Sequence, residues 1–219
     1  MAKKTFHKLN PAKKEKIMEA FLREFSLKKF DEASLSAVVK SLGIAKGSVY
    51  QYFGSKFDLF LYLFDESVKI KMKYIQDIRR EDYPDFWNYF RELYNHGVQF
   101  DLEHPMASHF LHNYAKNIDS PSLKKYNEKL RNQTLAGLGA MIQHEVDIGD
   151  FRKDISVQTM AFFLYKMSRS IFDYLEEVDG INIEKSIQKG TPVFAGKNKK
   201  KLMQAVDDHI LLIKKSFEK

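Results

Sequence analysis

Between Ser34 and Phe53 the apolar residues recur at helical spacing in two short runs, and one glycine separates them. This stretch constrains the fold more than any other. Leu35, Val38, Val39 and Leu42 make the first run, and Ser34 is placed to cap its helix. Gly43 follows, where a left-handed backbone is cheapest, and Ile44 returns the chain to the core. Ala45-Lys46-Gly47-Ser48 opens a second short helix that turns Val49 and Phe53 inward and Tyr50, Gln51 and Tyr52 partly outward. A helix, a tight glycine turn and a second short helix form a helix-turn-helix.

The residue types suit duplex DNA. A recognition helix sets its N-terminal turn against base edges in a major groove about 12 Å wide. Ala45, Gly47 and Ser48 are small enough for close approach, Lys46 offers a donor to guanine or phosphate, and Gln51 can hydrogen-bond base edges. Tyr50 and Tyr52 can pack on sugars or thymine methyls and donate hydroxyls to phosphates. Lys56, on the first turn of the next helix, joins its charge to free backbone N–H groups as a phosphate clamp. Ser34 and Ser36, at the start of the first helix, complete the candidate DNA-binding set.

Charge placement agrees. Of 36 Lys+Arg and 29 Asp+Glu, residues 1–60 hold 12 and 6, so +6 of the net +7 lies there and +1 on the remainder. A polyanion bound at one end fits this asymmetry, although charge alone does not separate DNA from RNA or anionic lipid.

Elsewhere the periodicity is helical, with breaks at Gly and Pro. It predicts helices over 11–27 (Pro11 following the cap Asn10), 55–80, 84–103, 106–117, 122–146, 156–178 and 199–217. The stretch 179–198 is the least regular, with a short helix at 183–188. No segment alternates as a strand does, so the reading is all-α. Cysteine is absent, which excludes disulfides, thiolate zinc sites and cysteine nucleophiles. No apolar run approaches the ~18–20 residues that span a bilayer. The start lacks a signal peptide's apolar stretch, and a cytoplasmic location without membrane partners is expected.

The run from Ile17 through Ser34-Leu35-Ser36-Ala37-Val38-Val39, Leu42-Gly43-Ile44 and Lys46-Gly47-Ser48-Val49-Tyr50-Gln51-Tyr52-Phe53 to Ser55-Lys56 and Leu59 resembles the TetR family of transcriptional regulators. The match covers about the first quarter of the chain. Two positions depart from the family pattern: Val39 replaces the usual Ala, and Ala37 a common acidic or polar residue. Neither removes an expected DNA contact. The resemblance implies an N-terminal three-helix helix-turn-helix domain over 1–57. It also implies a helical ligand-binding and dimerisation domain over 58–219. Gly149-Asp150-Phe151-Arg152-Lys153-Asp154 looks like the turn before that family's penultimate long helix.

The resemblance further implies a homodimer through the last two long helices. A compatible stripe runs through Val157, Met160, Phe163, Leu164, Met167, Ile171, Tyr174 and Leu175, then Leu202, Val206, Ile210, Ile213 and Phe217. Read from the residues alone, this stripe also suits an intramolecular core.

A ligand pocket in the helical body, again implied by the resemblance, would be apolar and aromatic. Trp87, Phe90, Tyr94, Phe110, Tyr114, Phe163 and Met167 are the candidate lining, suited to a hydrophobic or aromatic effector. Ordinary core packing is the competing role for each. His109 and His112 share a helical face but have no Cys or carboxylate pair beside them, so no metal is expected. No cofactor is expected either. Enzyme signatures fail: 190–197 has the wrong glycine spacing for a phosphate loop, Gly137-Leu138-Gly139 lacks a third glycine, and His144-Glu145 lacks the second His of a zincin.

The reading is a ligand-responsive dimeric repressor, not an enzyme, that binds a pseudo-palindromic operator and is released by a small molecule. The alternative is a DNA-bound regulator whose C-terminal domain recruits a protein partner.

Overall fold

The computed structural model describes residues 2–118 and 120–219, with the backbone but not the side chain of Lys46. Among these residues there are eleven α-helices and no strand. They are α1 (Lys4–His7), α2 (Pro11–Leu27), α3 (Leu35–Leu42), α4 (Lys46–Tyr52), α5 (Lys56–Ile75), α6 (Phe86–Glu103), α7 (Pro105–Lys116), α8 (Lys124–Ile148), α9 (Val157–Glu177), α10 (Ile183–Lys189) and α11 (Lys197–Phe217). Short 3-10 turns stand at Arg80–Asp82 and Pro121–Leu123. The all-α expectation holds, and no helix of the described residues is long and apolar enough to cross a membrane.

The chain packs as two compact units. The first comprises Met1–Tyr74, Phe100–Leu123 and Glu184–Val193. Pro11 begins α2 where its missing N–H costs nothing, and Asn10 Oδ1 accepts from the Ala12 N–H at 3.0 Å. The apolar stripe of α2 (Ile17, Phe21, Phe25) packs with Val38, Val49, Phe53, Phe60, Leu63 and Phe110 into one core. α7 lies along α2, and the Asn113 side-chain amide donates to the carbonyls of Phe25 (2.8 Å) and Lys28 (3.0 Å) near the end of α2. Those are the carbonyls that a helix leaves unpaired at its C-terminal end.

The second unit comprises Ile75–Gln99, Lys124–Ile183 and Phe194–Lys219. α9 packs against α8 and α11. Ser156 caps α9 by accepting from the Thr159 N–H at 3.1 Å. The turn anticipated at Gly149 is present: φ is 90° there, and the N–H groups of Asp150 and Phe151 both donate to the Glu145 carbonyl.

Three expectations are corrected. α5 ends at Ile75 rather than near residue 80. Arg80 instead turns inward and grips the buried Glu145 carboxylate with two bonds of 2.7 and 2.8 Å, a bidentate geometry that fixes orientation as well as charge. The dimer stripe is the second. Met160, Leu164, Met167, Ile171, Leu175, Leu202, Val206, Ile210, Ile213 and Phe217 are all buried within one copy of the chain. Phe163 and Tyr174 remain outside, joined by Phe162, Leu211 and Leu212, the last two more than 70% exposed. The third is α1, a helix that the periodicity does not predict.

Candidate nucleic-acid interface

The helix-turn-helix is fixed at both ends of α3. Ser34 Oγ accepts from the Ala37 N–H at 3.3 Å, and the Ser34 N–H donates to Glu24 Oε1 at 2.7 Å. At the other end Gly43 adopts φ 66° and ψ 28°. Its N–H reaches the Lys40 carbonyl at 3.2 Å, while the Ile44 N–H reaches that of Val39 at 3.1 Å. This pair of bonds is a Schellman closure, and the left-handed residue it requires is the reason for glycine.

α4 is then anchored from one side. Val49 and Phe53 are fully buried, whereas Ala45, Gly47, Tyr50 and Gln51 are exposed and Ser48 is half-buried. Ser36 is exposed at the start of α3. These positions match the outward face expected from the sequence; the Lys46 side chain lies outside the described residues. Tyr52 departs from expectation: it is buried, with its ring 5.8 Å from that of Phe6. The covering group comes from α1, the helix without a periodic signature.

That N-terminal segment is bonded directly to α4. The Lys3 N–H donates to the Tyr52 carbonyl at 2.8 Å, Lys3 Nζ to the Tyr50 carbonyl at 2.8 Å, and Thr5 Oγ1 to the Gln51 carbonyl at 2.5 Å. Phe6 is wholly buried among Phe53, Tyr52 and Tyr62. A four-residue helix has no periodicity to betray it; the isolated Phe6 among lysines is the one signal the sequence offers.

Lys56 is the first residue of α5, behind the cap Ser55, whose Oγ accepts from the Asp58 N–H at 3.0 Å. Its ammonium lies over the Phe30 ring, 4.8 Å from the centroid, and 3.4 Å from the Asp31 carbonyl. Partial burial lowers the pKa of this amine, and the charges of Asp31 and Glu24 oppose that shift. The Asp31 carboxylate in turn accepts from the hydroxyls of Ser120 and Ser122, which hold its pKa below the usual range.

The seven candidate pocket residues are divided between the units. Phe110 and Tyr114 pack in the first, around Phe60. Trp87 and Phe90 belong to an aromatic cluster of the second with Phe86, Phe151 and Phe217. Tyr94 lies against Phe90 in that unit, and burial raises its phenol pKa to about 12. Met167 is buried and Phe163 half exposed. An open cleft in the second unit is lined by Arg152, Lys153, Asp154, Lys215, Glu218 and Lys219, none of them a pocket candidate. Among the described residues no group of three or more His, Cys, Asp or Glu is arranged to hold a metal ion.

Residues 17–63 match the family model of the bacterial regulatory proteins, tetR family. The helix-turn-helix lies within this matching segment. The TetR-like fold extends over the whole chain. A TetR-family transcriptional regulator from Chloroflexus aurantiacus J-10-FL superposes with a TM-score of 0.80 at 22% identity, covering 100% of this chain and 99% of that one. The fatty acid degradation regulator FadR from Bacillus halodurans gives 0.58 at 14% identity, covering 91% and 96%. SmeT, the repressor of the Stenotrophomonas maltophilia multidrug efflux pump SmeDEF, gives 0.58 at 14%, covering 94% and 90%. No curated protein sequence matches the chain. The TetR family is made up of DNA-binding regulators rather than enzymes.

Proposed function

We propose that the chain is a DNA-binding transcriptional repressor that acts as a homodimer on a pseudo-palindromic operator and is released by a hydrophobic or aromatic small molecule. One observation carries this reading: α4 is locked from behind by Val49 and Phe53 while Gly47, Tyr50 and Gln51 stand open to solvent. A short helix rigid on one side and small or hydrogen-bonding on the other is what a major groove accepts. In this reading residues 1–57 bind the operator, with Ser34, Ser36, Ala45, Lys46, Gly47, Ser48, Tyr50, Gln51 and Lys56 as its contacts and the buried Tyr52 supporting α4 from behind, and 58–219 dimerise and sense the effector.

The exposed apolar face of α9 and α11 supports the dimer. Phe163 stands 6.4 Å from Phe217 and Tyr174 5.9 Å from His209, so the helices run antiparallel with Leu211 and Leu212 along the same stretch. A face of this kind is withdrawn from water when a second copy covers it. Two recognition helices related by a two-fold axis then meet two half-sites, and an effector that prefers a differently spaced pair lowers DNA affinity by its own difference in affinity. The aromatic cluster of the second unit around Trp87 and Phe90 offers an apolar environment for such an effector.

Selection of binding sites from random duplex DNA at fixed salt tests the reading. Enrichment of a two-fold symmetric motif is expected; recovery of no preferred sequence would overturn it.

A further inference from the structure

The end of α4 distant from its glycine turn has an electrostatic problem that the N-terminal segment solves. Seven residues of α-helix extend about 10 Å, no more than the ~12 Å width of the major groove. A helix this short has a phosphate strand near each end. Its last carbonyls carry the negative pole of the helix, which phosphate repels. Here the carbonyls of Tyr50, Gln51 and Tyr52 all accept hydrogen bonds from Lys3 and Thr5, one of them from an ammonium. The negative pole is thereby covered by a cation.

The covering segment is itself basic. Lysines stand at 3, 4, 8, 13, 14 and 16, with Glu15 as the one acidic residue before Ile17. Lys4 and Lys8 are exposed, and Phe6 between them is buried at 0% exposure, so both are held on an anchored backbone beside α4. The Phe6 ring also lies under Lys14 Nζ, 5.4 Å from the centroid, which brings the start of α2 to the same place.

We infer that residues 2–9 form a second nucleic-acid contact, with Lys4 and Lys8 on backbone phosphates of duplex DNA beyond the C-terminal end of α4. The inference rests on the reading of α4 as a recognition helix. Lys3 acts as a positioning residue that covers the helix pole, and Lys4 and Lys8 contribute charge without sequence information.

The test uses the full chain and the duplex that it selects from a random pool. Lys4→Gln and Lys8→Gln together should weaken binding to specific and unrelated duplexes alike. They should also reduce the slope of log affinity against log salt by about 2, near 0.9 for each phosphate that is no longer neutralised. The selected motif should stay the same, and hydroxyl-radical protection should recede at the outer edges of each half-site. An unchanged slope and footprint, with the wild-type chain still selecting its motif, would overturn the second contact alone. Failure of the wild-type chain to select any duplex would overturn the recognition-helix reading and this inference with it.

Discussion

The ring of Phe6 lies 4.7 Å from that of Phe53, so α1 and the end of α4 share one core. Phe6 is fully buried, and its removal leaves a cavity in addition to forfeiting the transfer energy. Phe6→Ala should destabilise the first unit by roughly 3–5 kcal/mol. Urea unfolding followed by far-UV circular dichroism checks this; a cost under about 1 kcal/mol, the range of ordinary surface changes, would show that α1 is not part of the folded unit.

Gly43 and Gly47 make opposite predictions. Both have open space where a methyl would stand, but only Gly43 has a positive φ. Gly43→Ala should cost about 1–2 kcal/mol through backbone strain alone. Gly47→Ala should stabilise the exposed helix by up to about 1 kcal/mol while weakening specific DNA binding, because the added methyl stands on the open face. Thermal melts and DNA titrations of the two variants separate the effects.

Gln51 and Lys56 differ in what each would read. Gln51 is exposed on α4, so Gln51→Ala should change the base preference found by selection. Lys56→Ala should weaken all duplexes about equally and lower the salt slope by about 1. The Lys56 amine rests on Phe30 and the Asp31 carbonyl in the free chain, so phosphate binding requires it to exchange those partners. A Lys56→Ala variant with unaltered slope would remove it from the interface.

The proposed dimer would bury Leu211 and Leu212, the most exposed large apolar side chains among the described residues. Replacing both by Glu should leave far-UV dichroism intact, shift the sedimentation coefficient to that of a single chain, and reduce operator affinity. A wild-type chain that sediments as a monomer at micromolar concentration would refute this assembly.

His109 supplies a pH dependence. Its ring is fully buried, and burial lowers its pKa below the ordinary 6.5, against an opposing pull from the Asp101 charge. The unfolded chain therefore binds a proton at a pH where the folded chain does not. Its contribution to stability is complete above about pH 6.5 and declines as pH falls from there toward the folded value. Urea midpoints of the wild type should drop between pH 7 and 5, and His109→Phe should flatten that part of the profile. Parallel profiles for the two proteins would exclude His109 as the source.

Most of this architecture is legible in the residues. Pro11 after Asn10, Gly43 after Leu42 and Ser156 ahead of an apolar stripe each place a helix end, because each choice answers a local backbone demand. The outward face of α4 is equally readable from the inward spacing of Val49 and Phe53. What is not readable depends on distant partners. The exposure of Tyr52 is decided by Phe6, and the end of α5 coincides with the inward turn of Arg80 onto Glu145. On α9 and α11, apolar spacing cannot separate Leu164, which fills the core, from Phe162, which faces water. The pocket candidates are divided between the two units for the same reason, since aromatic content does not say which core a ring joins.

The chain passes between its two packing units at residues 74, 99, 123, 183 and 193. No single cut can therefore release either one intact. A fragment ending after α5 would keep every candidate DNA contact yet lose α7, laying bare the trough where Phe110 sits against Phe25 and Phe60. Dissecting this chain into a portable helix-turn-helix would need a replacement for that missing helix, not merely a well-chosen stop codon.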